Sequence, residues 1–139
     1  MIKKLPTPTI ITALIVVFTF FATSCGEPPY AGDITFTEVN QVGATEKTVA
    51  KLEIDGMMCE VGCVAKVKKE LLEQEGVSNV TIDFEKGRKS NFAIVEFDPK
   101  TKDALSLSSA VTEIADGKLY GVRTVEVTNY APASSTLAE

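Results

Sequence analysis

Between residues 47 and 130 the spacing of apolar side chains switches between a repeat of two and a repeat near 3.6, and few folds accept the order in which it does so. "VAKLEID" alternates, with Ala50, Leu52 and Ile54 on one face and Lys51, Glu53 and Asp55 on the other, which predicts a half-buried strand. Val64, Val67 and Leu71 then fall at i, i+3 and i+7, Lys69 and Glu73 form an i,i+4 pair, and Gly76 offers a stop, so a helix is expected over residues 62–75. "VSNVTIDFEKG" alternates through Val80, Ile82 and Phe84, and "NFAIVEFDP" through Ala93, Val95 and Phe97, with "EKGRKS" between them as a hairpin turn. A second helical face follows in Ala104, Leu107, Val111 and Ile114, capped by Thr101 or Ser106 and stopped by Gly117. "GVRTVEVTNY" alternates again through Val125 and Val127 as a last strand.

Strand, helix, strand, strand, helix, strand is the order of an α+β, ferredoxin-like βαββαβ sandwich: a four-stranded antiparallel sheet with both helices on one face. The other sheet face is left to solvent. Its outward positions are mostly Lys, Glu, Thr and Asp; Phe92 and Ile94 are exceptions that mark either an apolar patch or an edge.

The 139 residues suffice for one domain once the first 24 are set aside. Lys3 and Lys4 precede an apolar run from about Ile10 to Ala22 that is short for a bilayer span, which takes roughly 20 residues, and it ends in small residues: a signal peptide over 1–24. "ATSC" resembles the lipobox of bacterial lipoproteins, with Ala22 where that motif more often has Leu. The resemblance implies lipidation of Cys25, a membrane anchor, and a place in the bacterial cell envelope facing the periplasm or exterior. Residues 25–46, with two prolines and three glycines, read as a flexible tether in which "ITFTEV" is the one candidate for a short strand. Residues 131–139 read as a disordered tail. Without Lys3 and Lys4 the 14 basic residues become 12 against 19 acids, a balance near −7 that speaks against nucleic acid as a partner.

"GMMCEVGCVAKVKKEL" holds the two cysteines left in the mature chain beside Cys25, Cys59 in the loop after the first strand and Cys63 at the opening of the first helix. A helix N-terminus favours thiolate, the form that binds metal. Soft thiolates select soft or borderline ions such as Cu(I) and Zn(II). The chain has no histidine, so the nearby donors are two thiols, the thioethers of Met57 and Met58, and the carboxylates Asp55 and Glu60. Structural zinc normally takes four Cys or His ligands, whereas Cu(I) is satisfied by two sulfurs, so the inventory favours Cu(I). Zn(II) or another ion would need Asp55, Glu60, water or a second molecule in a metal-bridged dimer. Residues four apart on a helix place their Cβ atoms roughly 5–6 Å from each other. That is near enough to share an ion, and equally near enough for a structural or redox-active Cys59–Cys63 disulfide in a degenerate domain without a metal role.

The same stretch, with "GVSNVTIDFEKG" and "AIVEFDP" after it, resembles the heavy-metal-associated domain of copper chaperones, mercury-binding periplasmic proteins and the N-termini of metal-transporting ATPases. The resemblance covers about residues 47–130. It implies the βαββαβ fold and one soft ion held by Cys59 and Cys63, for transfer by thiolate exchange to a metal-transporting ATPase or other metal-handling protein, or for buffering. It also implies that Gly56 shapes the loop and Met57 packs beneath it, with Met58 at the variable position. Lys118 and Tyr120, before the last strand, are candidates to lean over the ion. The family usually has two residues between the cysteines and this chain has three, "EVG", which changes the bite. Enzymatic classes find little support: there is no Cys-His pair, no Ser/His/Asp set and no phosphate-binding glycine loop.

Overall fold

A computed structural model describes residues 32–132; the expected signal peptide over 1–24, Cys25 and all but the first two residues of the tail expected over 131–139 lie outside the described residues, and the first of those two, Ala131, belongs to the last strand. The strands are β1 (Thr35–Val42), β2 (Lys47–Asp55), β3 (Val77–Asp83), β4 (Ser90–Phe97) and β5 (Gly121–Ala131), with helices α1 (Gly62–Leu72) and α2 (Ala104–Thr112). They form one sheet in the order β1-β5-β2-β4-β3. β2 to β5, with the two helices, follow the ferredoxin-like order read from the periodicity.

The sheet has five strands, not four, and is mixed rather than antiparallel. β1 runs parallel to β5, from Thr35 opposite Thr124 to Val42 opposite Ala131. The segment expected to be free tether over 25–46 is therefore part of the sheet from residue 35 onward. Its sequence hides this because nearly every β1 residue is exposed, so β1 lacks the one-sided apolar alternation that marks a half-buried strand. Backbone pairing holds it, helped by Asn129, whose Nδ2 donates to Glu38 Oε1 (2.7 Å) and Asn40 Oδ1 (3.2 Å). Residues 43–46 then cross the end of β5 into β2. Gly43 makes the crossing, because a Cβ there would stand 2.9 Å from the Tyr130 Cβ.

The core fills the space between the sheet and the helices. Ala50, Leu52 and Ile54 of β2, Val67 and Leu71 of α1, Val80 of β3, Ala93 and Val95 of β4, Leu107 and Val111 of α2, and Val125 and Val127 of β5 are all buried. α1 is shorter than the expected 62–75: it ends at Leu72 with Glu73 as C-cap, and Gly76 turns the chain at φ 85°. The exposed Lys69–Glu73 pair forms at 3.7 Å. α2 is capped by Asp103 rather than Thr101 or Ser106: its carboxylate accepts from the Ser106 backbone N–H at 2.9 Å, the three-residue reach of an N-cap. On the helix-free face Phe92 is half-buried under two cations, with Lys51 Nζ 4.5 Å and Arg88 Cζ 5.1 Å from its ring centroid. Ile94 lies on β4, an interior strand, so neither residue marks an edge. Among the described residues no helix is long and apolar enough to cross a membrane.

Candidate metal centre

Three strands place the cysteine loop. Asp55 pairs with Ser90 of β4 and with Gly121 of β5, so the end of β2 and the starts of β4 and β5 meet at one end of the sheet. The chain leaves β2 through Gly56 at φ 92°, where an added Cβ would stand 2.0 Å from the Leu119 carbonyl oxygen. No L side chain fits that contact, and the loop before α1 is thereby clasped to the loop before β5. Met57 turns inward and is buried with the core, while Met58 (87 % exposed) and Val61 (82 % exposed) project outward.

Cys59 is exposed on this loop and Cys63, the second residue of α1, is half-buried; both are free thiols. Their Sγ atoms lie 2.7 Å apart, and the Cys63 backbone N–H donates to Cys59 Sγ at 3.0 Å. The N-cap residue, Val61, makes no side-chain cap bond, so the sulfur of Cys59 takes the place of a capping oxygen on a first-turn amide. Burial pushes the Cys63 thiol up. Hydrogen bonds from Cys59 and from the Tyr120 side chain, then from backbone groups of Cys59 and Met58, outweigh burial and bring it from 9.0 down to about 7. Near neutral pH a substantial share of Cys63 is therefore thiolate. Tyr120 is buried beside it; burial first, and then the Cys63 hydrogen bond and the charge on both thiols, hold its hydroxyl well above the usual tyrosine range.

Of the two residues flagged before β5, Tyr120 thus reaches a sulfur. Lys118 is exposed and forms no ion pair among the described residues. Asp55 is buried and its carboxylate is taken: Ser90 Oγ donates to Oδ1 at 2.6 Å and Arg123 Nε donates to Oδ2. Glu60 is exposed. Among the described residues no three Cys, Asp or Glu side chains gather around one point.

Asn91 is a structural residue of the site that periodicity does not flag. It is fully buried, and its Nδ2 donates to the Met57 carbonyl at 3.2 Å. Its Oδ1 accepts from the Glu85 backbone N–H (2.8 Å) and Arg88 Nε (3.2 Å). One amide thereby ties the cysteine loop to the β3–β4 hairpin. The available signal was weak: a polar residue at the position where the β4 alternation predicts the core face. Ser90 and Arg123, which hold Asp55, carry no signal in the sequence.

A ferredoxin-like sandwich that opens its first helix on two adjacent thiols is the architecture of a small metal-binding domain. The family model of the heavy-metal-associated domain matches residues 51–104, from β2 to the first residue of α2. Among solved structures, oxidized MerP from Ralstonia metallidurans CH34 is 30 % identical, over 54 % of this chain and 96 % of that one, with a TM-score of 0.44. A copper binding domain from HMA7, a P-type ATPase, is 17 % identical, over 63 % of this chain and 97 % of that one, with a TM-score of 0.41. No curated protein gives a significant match. On the family model, and on the identity sustained along nearly the whole of MerP, this chain belongs to the heavy-metal-associated domain family and is a heavy-metal-binding domain.

Proposed function

We propose that the domain captures one soft metal ion, Cu(I) foremost, between Cys59 and Cys63, outside the cytoplasm, on a chain anchored by lipidated Cys25. It hands that ion to a metal-transporting ATPase or other metal-handling protein, or buffers it. The observation that carries this reading is the thiol pair itself: two sulfurs 2.7 Å apart at a helix start, one of them drawn down to about 7 by its neighbours. Soft ions prefer thiolate to oxygen donors, and the buried carboxylate here, Asp55, is committed to Ser90 and Arg123.

Each metal–sulfur bond is about 2.3 Å for zinc, so two sulfurs sharing an ion stand farther apart than these do. Cys59, exposed and followed by the flexible Gly62, is the thiol that moves. Zn(II) is a poorer fit, since two of its usual four ligands would have to come from water, Glu60 or a second copy of the chain. No catalytic role is assigned to any residue.

A second reading has one observation in its favour. Thiols this close also join readily, and MerP was crystallised oxidized, so a structural or redox-active Cys59–Cys63 disulfide is the competing state. Anaerobic Cu(I) titration of the fully reduced chain from residue 26, against a chelator of known affinity, separates the two. Uptake of one ion per chain that disappears in Cys59→Ser, Cys63→Ser supports the carrier. Uptake no tighter than in that double variant refutes it.

A further inference from the structure

β1 changes where the anchor attaches. In a free tether over residues 25–46 the domain would hang from the start of β2, at the end of the sheet farthest from the cysteines. Because β1 runs parallel to β5, its first residue, Thr35, instead lies opposite Thr124, three residues from Gly121 and hence about 10 Å from the metal end. Ten chain steps lead from Cys25 to Thr35, and a chain spans at most about 3.3–3.6 Å per residue, so Thr35 lies within roughly 35 Å of the anchored cysteine. To present the opposite end to the membrane, the tether would have to run back along β1, whose seven steps take up about 23 Å of that reach.

The surface chemistry points the same way. Of the nine large apolar side chains exposed among the described residues, Ile34, Phe36, Met58, Val61 and Leu119 lie on segments toward this end, three of them on the loops that flank the thiols, and Ile94 is in mid-sheet. Val42, Leu72 and Leu105 are at or near the far end, on separate elements. The loops at this end carry charges of both signs, Glu60 and Asp116 as well as Lys89 and Lys118, so attraction to anionic lipid is not the cause; short reach and apolar loop tips are.

We infer that the metal end of the domain rests on the lipid bilayer that carries its anchor, so that Cys59 and Cys63 face the membrane and exchange their ion with a partner seated in it. This rests on the lipidated Cys25 of the proposed function. The chain contains no tryptophan, so single tryptophans report without background. Full-length Leu119→Trp and Val42→Trp, purified with their lipid and reconstituted in phosphatidylcholine vesicles, are compared with and without brominated acyl chains. At least twofold greater quenching at position 119 than at 42 is expected, and a twelve-residue Gly/Ser insertion between Gly32 and Asp33 should reduce the contrast. Mass spectrometry of the mature N-terminus is read in parallel. A chain without lipid on Cys25 overturns the anchor and this orientation together. A lipidated chain with equal quenching at the two positions, or none at 119, overturns the orientation alone and assigns the apolar loop tips to a protein partner.

Discussion

Gly56 and Gly87 have nearly the same backbone angle, φ 92° and 87°, in very different surroundings, and substituting each by alanine isolates what the clasp on the metal loop is worth. A Cβ at Gly87 meets nothing within 4 Å, so Gly87→Ala carries only the left-handed strain of an L residue, about 1–2 kcal/mol. A Cβ at Gly56 meets the Leu119 carbonyl oxygen at 2.0 Å and the Leu119 carbonyl carbon at 3.1 Å, both backbone atoms that cannot rotate away. Contact distances near 3.5 Å require the two loops to part by roughly 1.5 Å. Overpacking of that kind adds about 1–3 kcal/mol, for a total of about 2–5 kcal/mol at Gly56. At about 4–8 °C per kcal/mol in a domain of this size, Gly56→Ala should melt about 8–40 °C lower, and Gly87→Ala only about 4–16 °C lower. Urea and thermal unfolding of the reduced, metal-free chains measure both. Because Tyr120 follows Leu119, parting the loops should also loosen the Tyr120–Cys63 hydrogen bond and let the Cys63 thiol climb back from about 7. Equal destabilisation of the two variants would refute the clasp.

Asn91→Leu strands the Met57 carbonyl and the Glu85 backbone N–H, and should cost about 2–4 kcal/mol in chemical denaturation, with faster hydrogen exchange in the cysteine loop. Asp103→Ala removes the α2 cap and should cost about 1 kcal/mol at neutral pH. Hydrogen bonds from the Ser106 side chain and then its backbone hold the Asp103 carboxyl below 3.8 in the folded chain, so this contribution is complete above that value and fades as pH falls through the folded one; the wild type and variant melts should converge in acid. Tyr120→Phe takes a hydrogen bond from the Cys63 sulfur while leaving the ring in the core, and the thiol should titrate above about 7, reducing thiolate and weakening metal uptake most at low pH. Ultraviolet thiolate absorbance across a pH series reads this directly.

β2 to β5 and both helices were legible because each buries one face, and burial imposes a period: Leu52 and Ile54, Val67 and Leu71, Val95 and Phe97 stand where alternation or helical spacing puts them. β1 was not, because an edge strand held by its backbone and exposed on both faces leaves no such mark. The cysteine pair was visible as a spacing and a resemblance. Its supports were not: Asn91, Ser90 and Arg123 act across strand pairs 34 to 68 positions apart, and neither periodicity nor composition records who sits opposite whom. The Asp55 carboxylate looked available as a ligand only while its partners were out of sight.

The parallel pairing of the first strand with the last also sets an order in time. Glu38 and Asn129, joined across β1 and β5, are 91 positions apart, so a chain delivered N-terminus first has nothing to pair with β1 until almost all of it has arrived. Closing so long a loop is slow, and contacts of this span retard folding more than any others in the domain. β1 carries a single charge, Glu38, and no proline, and in the interval it is an unprotected edge waiting beside any other newly delivered copy. The sheet is thus completed last at its most N-terminal strand, the one that has waited longest for its partner.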